Sequence, residues 1–282
     1  MLLTVKKIGP VLDLFSVDRP EWGVTEVAER LGIAKSSAHA LLVSLAGVGL
    51  LSCTNQSRYR LGWRFLDLGE TLKASLNLRG TALPLMRALV AQHRETVQLA
   101  VLDRGRVLFV ERLEGTHPVR FAGAPIGARW PAHASATGKV LLAVRPRGEV
   151  ARIASVEGLR AMTPNTVTDL DRLHGELEQV RRVGYAYDVE ESVPGVSGVA
   201  APVRLERGMT VAALSIAVPT SRFRTHERAL RQAVVEAAET MSRELRRANA
   251  EERDAAAAVT AEDPPHPVLA SDAALRRVVA AA

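Results

Sequence analysis

Lys35, Ser36, Ser37 and His39 place a cation, two hydroxyls and an imidazole within five consecutive positions. Such a set suits hydrogen bonding to phosphates and base edges, and Arg58 and Arg60 downstream add cations of the same use. Asp188, Glu190 and Glu191 put carboxylates close enough for acid/base work, although such a run equally forms a solvated loop or partners nearby arginines. Gly138-Lys139 fails as a phosphate loop, because the motif needs glycine where His133 stands and Ser or Thr where Val140 stands. His117, His133 and His174 lack metal-ligand spacing, and Cys53 is alone, so a disulfide framework and a cysteine-rich zinc site are both excluded. Ala136 and Thr137 stand at an expected helix start, where free backbone N–H groups and the positive end of the helix dipole favour a carboxylate. These residues imply no catalytic group, no metal and no cofactor.

The first set needs a helix to present it. Val27, Ala28 and Leu31 recur at helical spacing after Thr25, which reads as an N-cap, and Gly32 ends that helix where positive φ is wanted. Ile33 fills the corner. A second helix, Lys35 to Ala46, carries Ala38, Leu41, Leu42 and Leu45 on one face, which leaves Lys35, Ser36, Ser37, His39 and Ala40 pointing away. Leu50, Leu51 and Cys53 begin a strand. After the turn Thr54 to Ser57, alternation directs Tyr59 and Leu61 to the core and Arg58 and Arg60 outward. With a first helix at Lys7 to Phe15 and a turn at Asp18 to Gly23, this is a winged helix-turn-helix that places one helix in the major groove. Arg58, Arg60 and Arg64 form a local basic stripe, although residues 1 to 75 hold nine Lys/Arg against seven Asp/Glu.

Trp63 to Leu78 reads as a helix whose apolar stripe is wider than one domain face needs, an interdomain or dimer helix. From Thr81 the pattern changes. It predicts a helix to Gln92, strands at Val97 to Leu102, Val107 to Glu111 and Val119 to Ala122, and a Gly/Pro-rich loop from Gly123 to Pro131. Helices follow at Ser135 to Val144 and Asp169 to Val183, strands at Tyr185 to Val189, Val199 to Val203 and Val211 to Ala217, and a terminal helix at Thr225 to Arg247. The fold class is α+β with two domains. The predicted division is a winged helix-turn-helix over 1–62, a linker or dimerisation helix over 63–80, an antiparallel sheet with packed helices over 81–250, and a disordered tail over 251–282. The 282 residues are 47% hydrophobic with net charge +6, and no apolar run approaches the roughly 18 residues of a membrane span. No secretory signal is evident, so a cytoplasmic location is expected.

Ordered motifs then carry a resemblance. Glu26-Val27-Ala28-Glu29-Arg30-Leu31-Gly32 leads into Lys35-Ser36-Ser37, followed by Tyr59-Arg60-Leu61-Gly62 and Glu95-Thr96-Val97-Gln98-Leu99-Ala100. Pro131 to Ala143, Gly184-Tyr185-Ala186, Asp188 to Glu191 and Gly198 to Val203 complete the series. Over Val5 to Ala248 the chain resembles the IclR family of bacterial transcriptional regulators. The resemblance implies a dimer or dimer of dimers on palindromic operator DNA and a GAF-like C-terminal domain that binds a small organic-acid effector. It implies regulation of catabolic genes, with repression the expected mode.

The resemblance also assigns pocket positions: Ala136, Thr137, Asp188, Gly198, Ser215 and Ala217, with Trp130 at an apolar wall. Gly198 stands where members that bind small oxoacids carry cysteine, and Ala217 where they carry serine. Loss of both groups predicts a roomier, more apolar cavity for a larger, partly aromatic or aliphatic acid. Ala40 stands where the family usually has arginine, which shifts affinity onto Arg58 or Arg60. Lys139 is expected as a helix-surface or domain-interface cation. Two other readings are a small-molecule hydrolase using Asp188, His133 or Ser135, with an N-terminal association module, and a sequence-independent architectural DNA binder.

Overall fold

The computed structural model describes residues 3–69, 78–205 and 208–262. The chain divides into two compact units, Met1–Leu76 and Asn77–Ala282.

In the first unit, helix α1 spans Leu3–Leu12, strand β1 Glu21–Trp22, α2 Val24–Leu31, α3 Lys35–Gly47, β2 Leu51–Cys53 and β3 Tyr59–Leu61. The strands form one antiparallel sheet in the order β1-β3-β2. The apolar faces of α2 and α3 meet as the periodicity predicts: Val27, Ala28, Ala38, Leu41, Leu42 and Leu45 are buried with Val11, Trp22, Leu51 and Tyr59. Gly32 takes the left-handed conformation at φ 63°, and Ile33 packs in the corner. Several expectations are corrected. The expected turn at 18–23 contains β1, which pairs with the wing, and α1 lies earlier than Lys7 to Phe15. The N-cap of α2 is Gly23, not Thr25, because the Glu26 carboxylate reaches back to accept from the Gly23 N–H at 2.7 Å. Leu61 is 47% exposed instead of buried. Gly62 is glycine for lack of room: a Cβ there would lie 2.1 Å from the Gly49 carbonyl oxygen. Residues 64–69 are helical. The rest of the expected linker helix, 70–77, lies outside the described residues.

The second unit holds α4 (Leu78–His93), β4 (Thr96–Asp103), β5 (Arg106–Leu113), β6 (Arg129–Pro131) and a 3₁₀ turn at Ala132–Ala134. Next come α5 (Ala136–Ala143), α6 (Arg147–Glu157), α7 (Leu170–Val183), β7 (Ala186–Val189), β8 (Val196–Arg204), β9 (Thr210–Pro219) and α8 (Thr220–Glu262). Six strands make an antiparallel sheet in the order β6-β5-β4-β9-β8-β7. One face carries Val97, Leu99, Val199, Ala201, Leu214 and Ile216 against α4 and α8. The opposite face carries small residues, Ala100, Ala200 and Ala213, against α5, α6 and α7. Small side chains let α5 come close, and it is buried along its whole length.

Three departures have local causes. Residues 119–122 form no strand, because the Phe121 carbonyl is taken by the Thr96 hydroxyl at 2.5 Å, and β6 pairs with β5 instead. Helix α6 was not anticipated, since among its residues only Val150 and Ile153 are buried. Helix α8 runs to Glu262 where a tail was expected from 251, as the strong helix propensity of Ala255 to Ala258 favours. Residues 263–282 lie outside the described residues.

Candidate nucleic-acid interface and effector pocket

Helix α3 shows Lys35, Ser36, His39 and Ala40 exposed and Ser37 half-exposed, on the face opposite Leu41, Leu42 and Leu45. No side chain caps its first turn, so its N-terminal N–H groups remain available beside Lys35. The three arginines of the expected basic stripe do three different things. Arg60 is exposed, its Nε donating to the Ser52 hydroxyl at 3.2 Å. Arg64 turns to the end of α3, where Nη1 donates to the Val48 carbonyl at 2.6 Å. Arg58 does not point outward as the alternation predicted: Nη2 lies 2.7 Å from Glu26 and donates to the Glu21 carbonyl at 3.1 Å. The Gly23 N–H first of all holds the Glu26 carboxyl below the usual carboxylate value; burial opposes it, and the charges of Arg58 and Arg19 add to the lowering.

In the second unit, sheet register assembles what the sequence scatters. Gly198 pairs with Ala217, and Gln98 with Ser215, on the face that α5 covers. A cavity of about 50 Å³ lies there, and all seven expected positions line it: Trp130, Ala136, Thr137, Asp188, Gly198, Ser215 and Ala217. Sequence reasoning missed Gln98, Phe109, Phe121, Ser135, Ser192 and Ser197, which also line it, with Ala124, Val196, Val199 and Ile216 adding apolar wall. Alternation within β4 and β5 could have offered Gln98 and Phe109. Phe121 comes from a segment without regular structure and gave no signal.

The cavity has a polar end and an aromatic one. Ser135 caps α5, accepting from the Gly138 N–H at 3.1 Å and lying 3.2 Å from the Thr137 hydroxyl, which leaves the first two N–H groups of the helix for a ligand. Gly138 lets this helix start sit so close: a Cβ there would lie 2.0 Å from the Ala132 carbonyl oxygen. Trp130 stands edge-on to Phe109, ring centroids 6.3 Å apart. Asp188 accepts from the Glu191 N–H at 2.7 Å and the Ser192 hydroxyl at 2.5 Å, yet burial dominates and raises its pKa. Gly198 does not simply donate its missing side chain to the cavity. A Cβ there would meet the Ile216 carbonyl oxygen at 2.9 Å, so any side chain requires β9 to shift.

Lys139 is not a surface or interface cation. It is buried within α5, 2.6 Å from Glu191 and 2.7 Å from Glu176. His133 is buried beside the Arg160 carbonyl, and burial pushes its pKa down. Among the described residues no group of three or more His, Cys, Asp or Glu could hold a metal ion, and no helix is long and apolar enough to cross a membrane.

A winged helix-turn-helix joined to an antiparallel-sheet domain with a pocket under its helix layer defines a DNA-binding transcriptional regulator responsive to a small molecule. The comparisons agree. Residues 4–52 match the IclR helix-turn-helix domain, and residues 71–243 match the bacterial transcriptional regulator IclR C-terminal domain. The HTH-type transcriptional regulator XynR of Escherichia coli (strain K12) is 33% identical over 249 residues, 87% of this chain and 98% of that one. The p-hydroxybenzoate hydroxylase transcriptional activator of Acinetobacter baylyi is 35% identical, over 75% of this chain and 79% of its own length. A solved IclR homolog from Microbacterium hydrocarbonoxydans, complexed with 4-hydroxybenzoate, superposes with a TM-score of 0.74 at 32% identity, covering 86% of this chain and 99% of that one. The chain belongs to the IclR family of bacterial transcriptional regulators.

Proposed function

We propose that the chain acts as a cytoplasmic homodimer or dimer of dimers, binding palindromic operator DNA through Lys35, Ser36, Ser37, His39 and Arg60. Its signal is a small carboxylic acid with an aromatic ring, held by Trp130, Ala136, Thr137, Asp188, Gly198, Ser215 and Ala217. One observation carries the choice of effector: a single cavity joins an open helix start to a wall of Phe109, Phe121 and Trp130. The helix start suits a carboxylate, and the rings suit an apolar body. At about 50 Å³ the cavity takes a ring only if a wall gives. Phe121 is the wall that gives, since residues 114–128 lack helix and strand. The aromatic-acid complex of the Microbacterium relative and the name of the Acinetobacter relative support the same class.

One recognition helix reads few base pairs, each worth about 1–3 kcal/mol, so two half-sites supply the specificity. The exposed Trp63, Leu66 and Leu68 support association through the helical residues 64–69. A catalytic role is disfavoured because each candidate carboxylate is occupied. Asp188 serves Ser192 and Glu191, Glu191 serves Lys139, and Glu190 accepts from the Gly195 N–H at 3.1 Å.

Thermal shift with 4-hydroxybenzoate, benzoate, pyruvate and glyoxylate tests the effector class. The two ring acids are expected to raise the melting temperature with concentration, as ligands of the native state must. Stabilisation by glyoxylate and pyruvate alone would overturn the aromatic reading. Footprinting of the DNA upstream of its own gene, with and without the stabilising acid, tests the regulation. Equal affinity for that DNA and a scrambled duplex would overturn the operator reading.

A further inference from the structure

We propose that Arg58 positions the wing instead of gripping DNA, and that Glu26 is the hub that sets its pose. This rests on the reading of α3 and the wing as the DNA interface.

Glu26 joins three separate stretches of the first unit. Its Oε1 lies 2.9 Å from Arg19, whose guanidinium stacks 3.5 Å over the Trp22 ring. Its Oε2 accepts from the Gly23 N–H at 2.7 Å, at the start of α2, and lies 2.7 Å from Arg58 Nη2.

The backbone of Arg58 is fixed as well. Its N–H donates to the Thr54 hydroxyl at 3.3 Å, and its carbonyl accepts from the Thr54 N–H at 2.7 Å, closing the wing turn. Arg58 Nη2 also holds the Glu21 carbonyl, on the strand that pairs with the wing. The guanidinium therefore spans α2, β1 and the β2–β3 turn, while its charge is already answered. A planar fork of fixed donors is suited to such a job, and a lysine is not.

Stability alone does not account for the hub. Each of these side chains is about a third or more exposed, and exposed ion pairs contribute little to stability. What the hub does fix is direction. Arg58 lies within the wing, directly before β3, and α3 follows α2 through the Gly32 corner, so tying Arg58 to Glu26 fixes the angle between wing and recognition helix. Arg60 has only the Ser52 hydroxyl as a side-chain partner among the described residues and is left to meet phosphate. An operator is read only when helix and wing engage together, whereas non-specific binding counts cations.

The test measures affinity for a footprinted operator duplex and for a scrambled duplex of equal length, each across a salt series, with circular-dichroism melting as the folding control. Arg60→Ala is expected to reduce the salt slope by about 1.8 for a bound dimer, the loss of one phosphate contact from each protomer. Arg58→Ala is expected to weaken operator binding about 10-fold with an unchanged slope, leaving scrambled-duplex affinity where it was. Arg58→Lys should resemble Arg58→Ala, because charge without the fork does not span the three elements. Glu26→Gln should also lower operator affinity, although it makes the unit more positive, and combining it with Arg58→Ala should add little. The proposal is overturned if Arg58→Ala lowers the slope as much as Arg60→Ala does, if Arg58→Lys restores binding, or if Glu26→Gln tightens both duplexes. Any of these makes Arg58 a phosphate contact that Glu26 merely restrains. If neither Arg60→Ala nor a Ser37→Ala/His39→Ala double variant alters binding, the interface reading itself fails, and this inference fails with it.

Discussion

Two ion-pair clusters with nearly identical bond lengths sit in opposite surroundings. Glu26 in the DNA-binding unit is 2.7 Å from Arg58 with both side chains about a third exposed, and Lys139 in the effector domain is 2.6 Å from Glu191 with both nearly buried. At the first, water screens the charges and the cluster is free to set geometry at small cost. At the second, burial makes each charge depend on the other, so the pair and the stability of the domain cannot be separated. The same contrast holds for the functional groups around them. Ser36, Ser37 and His39 stand on the outer face of a helix, whereas Thr137, Asp188 and Ser215 are buried where α5 meets the sheet. Substitution in the first group should change binding without unfolding the protein, and in the second it should do both.

Lys139→Met gives the largest expected effect. It leaves Glu191 without its cation and Glu176 with only Arg172, at 3.5 Å, and breaking a buried pair from one side costs about 3–5 kcal/mol. Chemical denaturation followed by near-ultraviolet dichroism measures it, and a loss no greater than that of Glu178→Ala, which breaks the exposed Arg147 pair at 2.8 Å, would dissolve the contrast. Gly138→Ala follows. Its Cβ has nowhere to go against the Ala132 backbone, so a cost of about 3 kcal/mol is expected together with loss of acid-induced stabilisation. Full ligand response in Gly138→Ala would detach the α5 start from the site.

Ser37→Ala with His39→Ala sharpens the other side of the comparison. Operator affinity should fall by about 1–3 kcal/mol for each base-edge contact removed, with an unchanged melting temperature. A lowered melting temperature with unchanged affinity would mean that this face supports the fold and nothing else.

The two sites also differed in how far they could be read from the chain. Helix periodicity placed Ala38, Leu41, Leu42 and Leu45 inward, which left the candidate contact face as the remainder. A local rule was enough because the site lies on one element. It failed at Arg58, since alternation along a strand is blind to Glu26, which lies thirty-two positions earlier and arrives only through the fold. In the effector domain the pocket draws on β4, β5, β6, α5, β7, β8 and β9, and its members become neighbours through cross-strand register such as Gly198 with Ala217. Family likeness could name seven of its positions because a register is inherited whole. Neither spacing nor likeness exposed Phe121 or the burial of Lys139. The first depends on a side chain, Thr96, capturing a backbone carbonyl, and the second on small residues in the sheet that let α5 sink.

The two glutamates at these clusters should titrate on opposite sides of the ordinary glutamate value of 4.5. Glu26 is lowered, first by the Gly23 N–H and then by its arginines. Between its folded value and 4.5 the unfolded chain binds more protons, so its contribution is present above 4.5 and is lost as pH falls through the folded value. Glu191 is raised, first by burial and further by Asp188 and Glu176, even though Lys139 pulls the other way. Between 4.5 and its folded value the folded chain binds more protons, so its contribution is present below 4.5 and is lost as pH rises through that window. Carboxyl-carbon NMR with selectively labelled glutamate reads both midpoints in one sample, and they should fall on either side of 4.5. Glu26→Gln should then leave the melting temperature nearly unchanged at neutral pH, because its partners are screened by water. Overlapping midpoints would mean that Lys139 fully offsets burial at Glu191, and burial would no longer separate the two clusters.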